Sequence, residues 1–276
     1  MHVTAVTTFL LPRLTAPATS LPVLTALPTA LYLDAPEGVV AIVTSPHVLP
    51  PLGLALSQPD LDLRHALCDT TVTLGNGHVC IPGLPPSALA PQTERWCPSL
   101  AAHLPPHIDL DAIRALLPAM ATLTPPPDPA LQPVLSRATA LFEALRRGNA
   151  EAVLARAATL VGLGPGLTPA GDDLLIGLCA ALTLLGHALP ARQSWLLTLR
   201  QQLGRLAPQT TTLSASWLTH AAAGNLQRLL IHTAQALALA DAPALAQATR
   251  HLMRYGATSG WAMLAGLSQS LAALLT

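Results

Sequence analysis

A proline-rich segment at residues 124–133, TPPPDPALQP, divides the chain into two halves with different sequence patterns. Proline fixes φ and lacks a backbone N–H, so this segment cannot continue a helix or a central strand. We therefore place a domain boundary there, between residues 1–123 and residues 134–276. The predicted fold class is α+β, with a small β-rich N-terminal domain followed by a compact all-helical C-terminal domain.

The N-terminal half contains short runs that are typical of β-strands. Residues 39–43, VVAIV, form one such run. Residues 70–74 and 78–81 flank the sequence Gly-Asn-Gly at 75–77, which favours a hairpin because Asn and Gly accept the positive φ of a tight turn. Residues 108–120 are predicted to form a short helix.

Apolar residues recur at helical spacing beyond the boundary, as in Leu135, Leu141 and Leu145. A helix stop signal follows at residues 148–149, Gly-Asn. No internal repeat is evident in this half. We predict further helices near residues 150–161, 174–187, 191–206, 213–223, 225–240, 243–254 and 260–275.

The longest apolar run, residues 174–189, contains about 16 residues, whereas a membrane-spanning helix needs about 20. It follows two aspartates directly, which favours a buried core helix. Arg13 interrupts the N-terminal apolar stretch, and no basic segment precedes it, so no signal peptide is expected. The four cysteines form no CxxC pair. We expect a cytoplasmic protein without a membrane partner.

All 14 basic residues are arginine, and the formal net charge is zero. The absence of lysine excludes a Walker A loop, a pyridoxal phosphate Schiff base and a lysine nucleophile. No basic tract is present, so nucleic acid is not an expected partner. Anions must therefore be bound through arginine or backbone N–H groups.

Residues 162–173, GLGPGLTPAGDD, carry the strongest functional signal in the chain. The glycines allow a ligand to approach the backbone closely. Thr168 and Pro169 are predicted to be the N-cap and the first residue of a helix, whose N-terminus suits a phosphate or a carboxylate. Asp172 and Asp173 then enter an otherwise apolar helix, where a carboxylate is costly without a partner. The alternative is structural: the glycines turn the chain, and the aspartates complement the helix dipole.

Two further helix starts, TTTLSAS at 210–216 and GATSGW at 256–261, are rich in hydroxyl groups or glycine. Ordinary capping explains each one alone, but three converging helix starts would form one site for a small anion. The predicted catalytic residues are Asp172 and Asp173, and Arg254 is the basic residue best placed to help. The predicted substrate-binding residues are Gly164, Gly166, Leu167, Thr168, Gly171, Thr212, Ser214, Arg254, Thr258, Ser259 and Gly260.

Residues 162–178, GLGPGLTPAGDDLLIGL, resemble the signature GxGxGLTPSGDDxLxG of the bacterial family of AllH-type subunits of oxamate carbamoyltransferase. Two further matches follow in order, TLSASWLTHAAAGN at 212–225 and GATSGWAMLAGL at 256–267. The chain departs from the family pattern at three positions. Ala170 replaces a frequent Ser, Ala257 a polar residue such as His, and Ala262 an Asp.

The resemblance implies a role in purine (allantoin) catabolism, where a carbamoyl group passes between oxamate and phosphate and links oxalurate breakdown to carbamoyl phosphate. It implies small anionic substrates and partner subunits, one of them similar to acyl-CoA synthetases. The loop at residues 164–168 would bind phosphate or carboxylate. Asp172 or Asp173 would orient or deprotonate the carbamoyl nitrogen, or hold a magnesium ion. Which subunit is catalytic stays open.

Two other functions are compatible with the residues. The first is a magnesium-dependent hydrolase, similar to ADP-ribosylglycohydrolases, which also carry acidic pairs at helix starts. Only Asp241 follows Asp173 as a further carboxylate, which counts against it. The second is a non-catalytic scaffold that stabilises partner subunits, which Ala257 and Ala262 favour. Magnesium is the one cofactor that these readings of the aspartate pair imply, and the sequence defines no set of metal ligands.

Overall fold

The computed structural model describes residues 1–58, 60–65, 70–121 and 128–276. Within it the chain divides into two units, Met1–Pro98 and Ser99–Thr276. This division lies earlier than the predicted boundary. Of the predicted boundary segment, residues 124–127 lie outside the described residues.

The helix at Leu110–Ala121 explains why the division lies earlier. It packs against the C-terminal helix Ser259–Leu275, and its Arg114 Nε donates a hydrogen bond of 3.0 Å to the carbonyl oxygen of Leu275. The helix therefore belongs to the second unit, although the sequence analysis assigned it to the N-terminal domain.

The first unit is a closed eight-stranded barrel with the strand order β1-β5-β4-β3-β2-β6-β7-β8. Closure comes from a parallel pairing of β1 with β8, and most other pairs are antiparallel. A short helix, α1 (Leu11–Thr15), follows the first strand. The strands are β1 (His2–Thr7), β2 (Thr19–Leu27), β3 (Ala30–Ala35), β4 (Gly38–Val43), β5 (Gly53–Leu56), β6 (Thr71–Gly75), β7 (His78–Cys80) and β8 (Ser87–Trp96).

The prediction of a β-rich N-terminal part is confirmed. The predicted strand at 39–43 lies in β4, and the predicted hairpin is β6–β7, with Asn76 and Gly77 at φ values of 52° and 76°. Alternate apolar side chains such as Leu31, Leu33 and Ile42 fill the barrel interior and are fully buried. Closure leaves no long open sheet edge among the described strands.

The second unit is helical, as predicted. Among its described residues, the only strand-like pairing is an isolated bridge between Ser99 and Asn225. Each predicted helix is present within a few residues of its expected bounds. The helices are α2 (Leu110–Ala121), α3 (Gln132–Arg146), α4 (Ala150–Ala158), α5 (Ala170–Ala188), α6 (Gln193–Gly204), α7 (Thr212–Ala222), α8 (Arg228–Ala238), α9 (Ala242–Met253) and α10 (Ser259–Leu275).

Helix α5 lies at the centre of this unit. It is long and apolar enough to cross a membrane, but 89% of its most apolar stretch is buried inside the unit. This burial agrees with the prediction of a core helix. Helix α10 packs along α5 more extensively than any other helix does.

Two glycines allow α5 and α10 to touch through their backbones. A Cβ atom on Gly177 would lie 2.1 Å from the carbonyl oxygen of Met263, and one on Gly266 would lie 2.0 Å from that of Leu174. Neither position can hold a larger residue without separating the helices. The contacts are reciprocal, since each helix contributes one glycine and one carbonyl oxygen.

The helices on each side of this crossing form two similar triplets, α3–α4–α5 and α8–α9–α10, so the unit contains an internal repeat that the sequence analysis missed. In each triplet the first connection contains a residue with positive φ, Gly148 at 65° and Ala240 at 54°. The next residue, Asn149 or Asp241, caps the second helix by accepting a hydrogen bond from the N–H three residues later, at 3.0 and 2.9 Å.

The third helix of each triplet begins in the same way. The N–H of Gly171 donates to the carbonyl oxygen of Leu163 at 2.8 Å, and that of Gly260 donates to Tyr255 at 2.9 Å. Each of these glycines precedes a crossing glycine by six residues. The repeat is hidden in the sequence because only turn, cap and contact positions match, and because the loop before Gly171 is three residues longer.

Candidate active site at the glycine-rich loop

The glycine-rich segment forms an irregular loop at residues 162–169, between α4 and α5. Gly164 and Gly166 have φ values of 109° and 100°, which residues with a Cβ rarely adopt. The backbone N–H groups of Gly164, Gly166, Leu167 and Thr168 make no hydrogen bond to any described residue. These four groups are donors that a ligand could use.

Helix α5 starts one residue later than predicted. The sequence analysis expected Thr168 as the N-cap and Pro169 as the first helical residue, but the helix begins at Ala170 after an extended Pro169 with ψ of 136°. Thr168 therefore caps no helix. Its hydroxyl instead forms a hydrogen bond of 2.9 Å with the hydroxyl of Ser259, at the start of α10.

The first amides of α5 are already occupied. The N–H of Gly171 donates to Leu163, and those of Asp172 and Asp173 donate to the carbonyl oxygen of Pro169 at 2.9 and 3.2 Å. An anion therefore cannot use these three groups without breaking existing hydrogen bonds. The donors available to it belong to the loop rather than to the helix terminus.

Asp172 is buried and holds the loop to its surroundings. Its Oδ1 accepts a hydrogen bond from the N–H of Gly162 at 2.8 Å, and its Oδ2 accepts one from the Thr210 hydroxyl at 2.5 Å. Burial raises the pKa of the Asp172 carboxyl, while Thr210, Gly162 and Ser214 oppose that shift. Because both of its oxygens accept hydrogen bonds from other residues of the protein, Asp172 fixes the loop against the start of α7.

Asp173 is fully buried in a different environment. Neither of its carboxyl oxygens has a hydrogen-bond partner among the described residues. The hydroxyls of Ser259 and Thr168 are bonded to each other and lie close enough to lower its pKa by hydrogen bonding. Their mutual bond uses only one hydroxyl hydrogen, so the other hydroxyl can turn toward Asp173. The two aspartates differ because consecutive residues on a helix point about 100° apart, so that one faces α7 and the other faces the start of α10.

Burial raises the pKa of the Asp173 carboxyl from 3.8 to about 8, against the smaller opposing effects of Ser259 and Thr168. The adjacent charge of Asp172 contributes a smaller part of this rise. At neutral pH the Asp173 carboxyl is therefore protonated and can donate as well as accept a hydrogen bond.

The structure brings three helix starts together around the loop. On one side Thr210 bonds to Asp172, and Thr211 donates to the carbonyl oxygen of Leu167 at 3.0 Å. Thr211 is also the N-cap of α7, since its hydroxyl accepts from the N–H of Ser214. On the other side Ser259 bonds to Thr168. The predicted convergence of these helix starts is thus present within the second unit.

Several predicted ligand-binding residues have other positions or roles. Thr212 and Arg254 are exposed and have no hydrogen bond to the loop in the described structure. Gly171 and Gly260 are packing residues, because a Cβ on them would lie 2.0 Å from the Leu160 carbonyl oxygen and 1.7 Å from that of Leu252. Thr258 is 8% exposed and makes no capping hydrogen bond with its side chain.

The sequence analysis missed Gly162, Thr210 and Thr211 as residues of the site. All three contribute hydrogen bonds that hold the loop. The signal for the threonines was the run of three hydroxyl residues at 210–212, around the start of α7, which was interpreted as helix capping. Capping accounts for Thr211 in part, but its hydroxyl also bonds to the loop.

The donor set does not fit a magnesium ion. Within the described ranges, no group of three or more His, Cys, Asp and Glu side chains lies together. Magnesium is usually bound by ionised carboxylates and water. Here both oxygens of Asp172 are engaged by protein donors, which leaves the carboxyl of Asp173 as the one further acidic group beside the loop among the described residues.

A cavity of about 220 Å³ lies nearby, between α2, α3, α5 and α10. Its wall is mainly apolar, with Phe142, Leu174 and Trp261, and its polar groups come from residues such as Ser268 and Gln269. No charged residue lines it, so it does not suit a small anion. The loop is the better candidate for the substrate site.

A comparison with protein-family models gives one match. The family described as oxamate carbamoyltransferase subunit AllH matches residues 160–271, a range that contains the loop, α7 and the start of α10. No curated protein and no solved structure matches the chain. The barrel lies outside the matched range. Over residues 160–271, which form the larger part of the helical unit, this chain is therefore similar to the AllH subunits of oxamate carbamoyltransferase.

Proposed function

We propose that this chain is the substrate-binding subunit of an oxamate carbamoyltransferase, with its site formed by the loop at residues 164–168 and by Asp173. One observation carries the proposal: a fully buried carboxyl group without a partner lies next to a loop with four unbonded N–H groups. An unsatisfied buried polar group costs about 1–3 kcal/mol, which a structural role would not require.

In the proposed reaction, an oxygen of phosphate attacks the carbamoyl carbon of oxalurate. The bond between that carbon and the oxamate nitrogen breaks, oxamate leaves with a proton on its nitrogen, and carbamoyl phosphate forms. The loop N–H groups bind phosphate or carboxylate oxygens and stabilise the negative charge that develops during the attack. Donors fixed in place before the reaction stabilise such charge effectively.

The two aspartates have separate roles in this proposal. Asp173 contacts the carbamoyl group of the substrate and orients its nitrogen. Asp172 is a positioning residue, because its two oxygens hold Gly162 and Thr210 and so fix the loop on which the donors lie. This division replaces the sequence-based hypothesis, in which either carboxylate could act directly.

The family name describes a subunit, and a subunit requires partners. We propose that one partner is an acyl-CoA-synthetase-like protein and that the reaction takes place in the assembled enzyme.

Activity of the assembled enzyme tests the proposal. Asp173→Ala should lower the rate of carbamoyl phosphate formation by about 100-fold or more, a typical loss for a group that handles protons or orients the substrate. The control is Glu151→Gln on the exposed surface of α4, which should leave the rate unchanged. Full activity of the Asp173→Ala enzyme would show that the substrate site does not lie at this loop.

A scaffold role is the second candidate, and one observation favours it. By the correspondence of the two triplets, Ala262 holds in α10 the position that Asp173 holds in α5, so the second half of the site carries no carboxyl. A scaffold predicts that the chain co-purifies with its partners and stabilises them, and that Asp173→Ala changes neither activity nor assembly. A magnesium-dependent hydrolase is not proposed, because the donor set does not fit the ion.

A further inference from the structure

We propose that Asp173, in its neutral carboxylic acid form, recognises a primary carboxamide. The O–H of Asp173 donates to the carbonyl oxygen of the carboxamide, and the other oxygen of Asp173 accepts from the amide N–H. This inference rests on the proposed function and specifies the chemistry of the same site. It assigns the carbamoyl end of the substrate to Asp173 and the anionic end to the loop.

Geometry is the first support. Asp173 is fully buried, and both of its oxygens lack partners in the described structure, whereas both oxygens of Asp172 are bonded. A ligand can therefore use two atoms of Asp173 at once. A ligand that reaches the carboxyl must separate the paired hydroxyls of Thr168 and Ser259 or bond to them, and Thr168 lies on the partly exposed loop.

The charge environment is the second support. Helix α10 and the loop at residues 162–169 contain no ionisable side chain, and α7 carries only His220, near its C-terminal end. Asp172 is the one ionisable group that acts on the pKa of Asp173, and its charge favours the neutral acid. The other ionisable residues on elements packed against α5, including the short helices at Leu100–His103 and Pro190–Arg192, have no such effect. They are His103, Arg137, Glu143, Arg146, Arg192, Arg200, Arg228 and His232.

Complementarity is the third support. A carboxylic acid presents one donor and one acceptor, and a primary carboxamide presents the same pair in the opposite order, so the two groups form a ring of two hydrogen bonds. An ionised carboxylate ligand has no donor to offer. A buried polar site rejects a ligand that leaves one of its groups unpaired. Asp173 should therefore select a carboxamide over a carboxylate of the same size.

Calorimetric titration of the purified full chain tests this selectivity with oxamate and oxalate. The two ligands differ in that oxamate has a carboxamide where oxalate has a second carboxylate, and the carboxamide of oxamate serves as a probe in place of the carbamoyl group of the substrate. We expect wild type to bind oxamate at least about tenfold more tightly than oxalate. Asp173→Asn should bind oxamate within a few-fold of wild type, because the Asn amide also offers one donor and one acceptor. Asp173→Ala should lose about tenfold or more.

The pH dependence of oxamate binding is a second test, and it does not require the Asp173→Ala variant to fold. Above about pH 8 the wild-type affinity for oxamate should fall by about tenfold per pH unit as the acid ionises, whereas that of Asp173→Asn should stay flat. If Asp173→Asn loses as much affinity as Asp173→Ala, the ionised form is required and the inference is wrong, although the site remains. If wild type binds neither oxamate, oxalate nor phosphate, the proposed function fails as well.

Discussion

Replacing Asp173 by Asn should change how the stability of this protein depends on pH. The Asp173 carboxyl has a pKa of about 8 in the folded protein and an ordinary value of 3.8 when it is exposed. Between these values the unfolded chain is ionised at this position while the folded chain holds a proton. Folding therefore takes up a proton, and the free energy of unfolding falls as the pH rises.

The slope for one such group is about 1.4 kcal/mol per pH unit. Because Asp173 is fully buried, solvent screening does not reduce this value much. From pH 5 to pH 7 the wild type should therefore lose about 2.7 kcal/mol of stability through this residue. Asn cannot ionise, so the free energy of unfolding of Asp173→Asn should fall by that much less over the same pH range. For a unit of this size the difference corresponds to about 5–11 °C in Tm.

Urea and thermal unfolding, followed by far-ultraviolet circular dichroism at pH 5, 6 and 7, would measure how the stability of wild type and of Asp173→Asn depends on pH. The helical unit dominates that signal. Asp172, whose pKa is also raised, contributes to the slope of both proteins, so the difference between them isolates Asp173. Equal slopes for wild type and Asp173→Asn would refute the reasoning, since they would mean that the buried carboxyl is ionised in the folded protein.

Three further substitutions test the packing and the loop. Asp172→Ala should cost about 1–3 kcal/mol in urea unfolding, because the N–H of Gly162 and the hydroxyl of Thr210 lose their acceptor; a neutral result would contradict the positioning role. Gly166→Val should abolish the rise in Tm that phosphate or oxamate produces in wild type. Gly148→Val, at an equally open position with positive φ, should keep that rise, and identical behaviour of the two variants would point to strain alone. Gly177→Ala should destabilise by more than about 3 kcal/mol, because its Cβ would overlap the Met263 carbonyl oxygen, whereas Gly186→Ala in the same helix should stabilise by up to about 1 kcal/mol. If the two glycines behave alike, the close crossing of α5 and α10 is wrong.

The helical unit could be predicted from the sequence because its signals are local. Apolar spacing, N-caps such as Asn149 and Asp241, and the glycine at 148 each indicate a helix or its end without reference to the rest of the chain. The barrel was predicted only in part. Its closure depends on the pairing of β1 with β8, which lie far apart in sequence, and strands as short as β7 carry little periodicity.

Residues of the predicted site that look alike in the sequence have different surroundings in the structure. Gly164 and Gly171 look alike in sequence, yet one lies in the open loop and the other allows α5 to start against the end of α4. Asp172 and Asp173 are neighbours in the chain, yet one satisfies protein donors and the other is left without a partner. These differences depend on which neighbouring helix each side chain faces, and the sequence does not encode that locally.

The internal repeat explains why one functional loop lies beside one unpartnered carboxyl. Two equivalent helix starts meet where α5 and α10 cross, and each begins with a glycine that packs on the preceding helix. Only the first start has the longer loop, and only the first has an aspartate at the equivalent position, because α10 carries Ala262 there. Two carboxyls at equivalent positions near the crossing would repel each other when ionised, and each would need its own partner. With Ala262 at the equivalent position of α10, the carboxyl of Asp173 lies beside the hydroxyl of Ser259 rather than beside a second acid. In the proposed site this neutral acid offers one donor and one acceptor, the pair to which the carbamoyl end of a substrate is complementary.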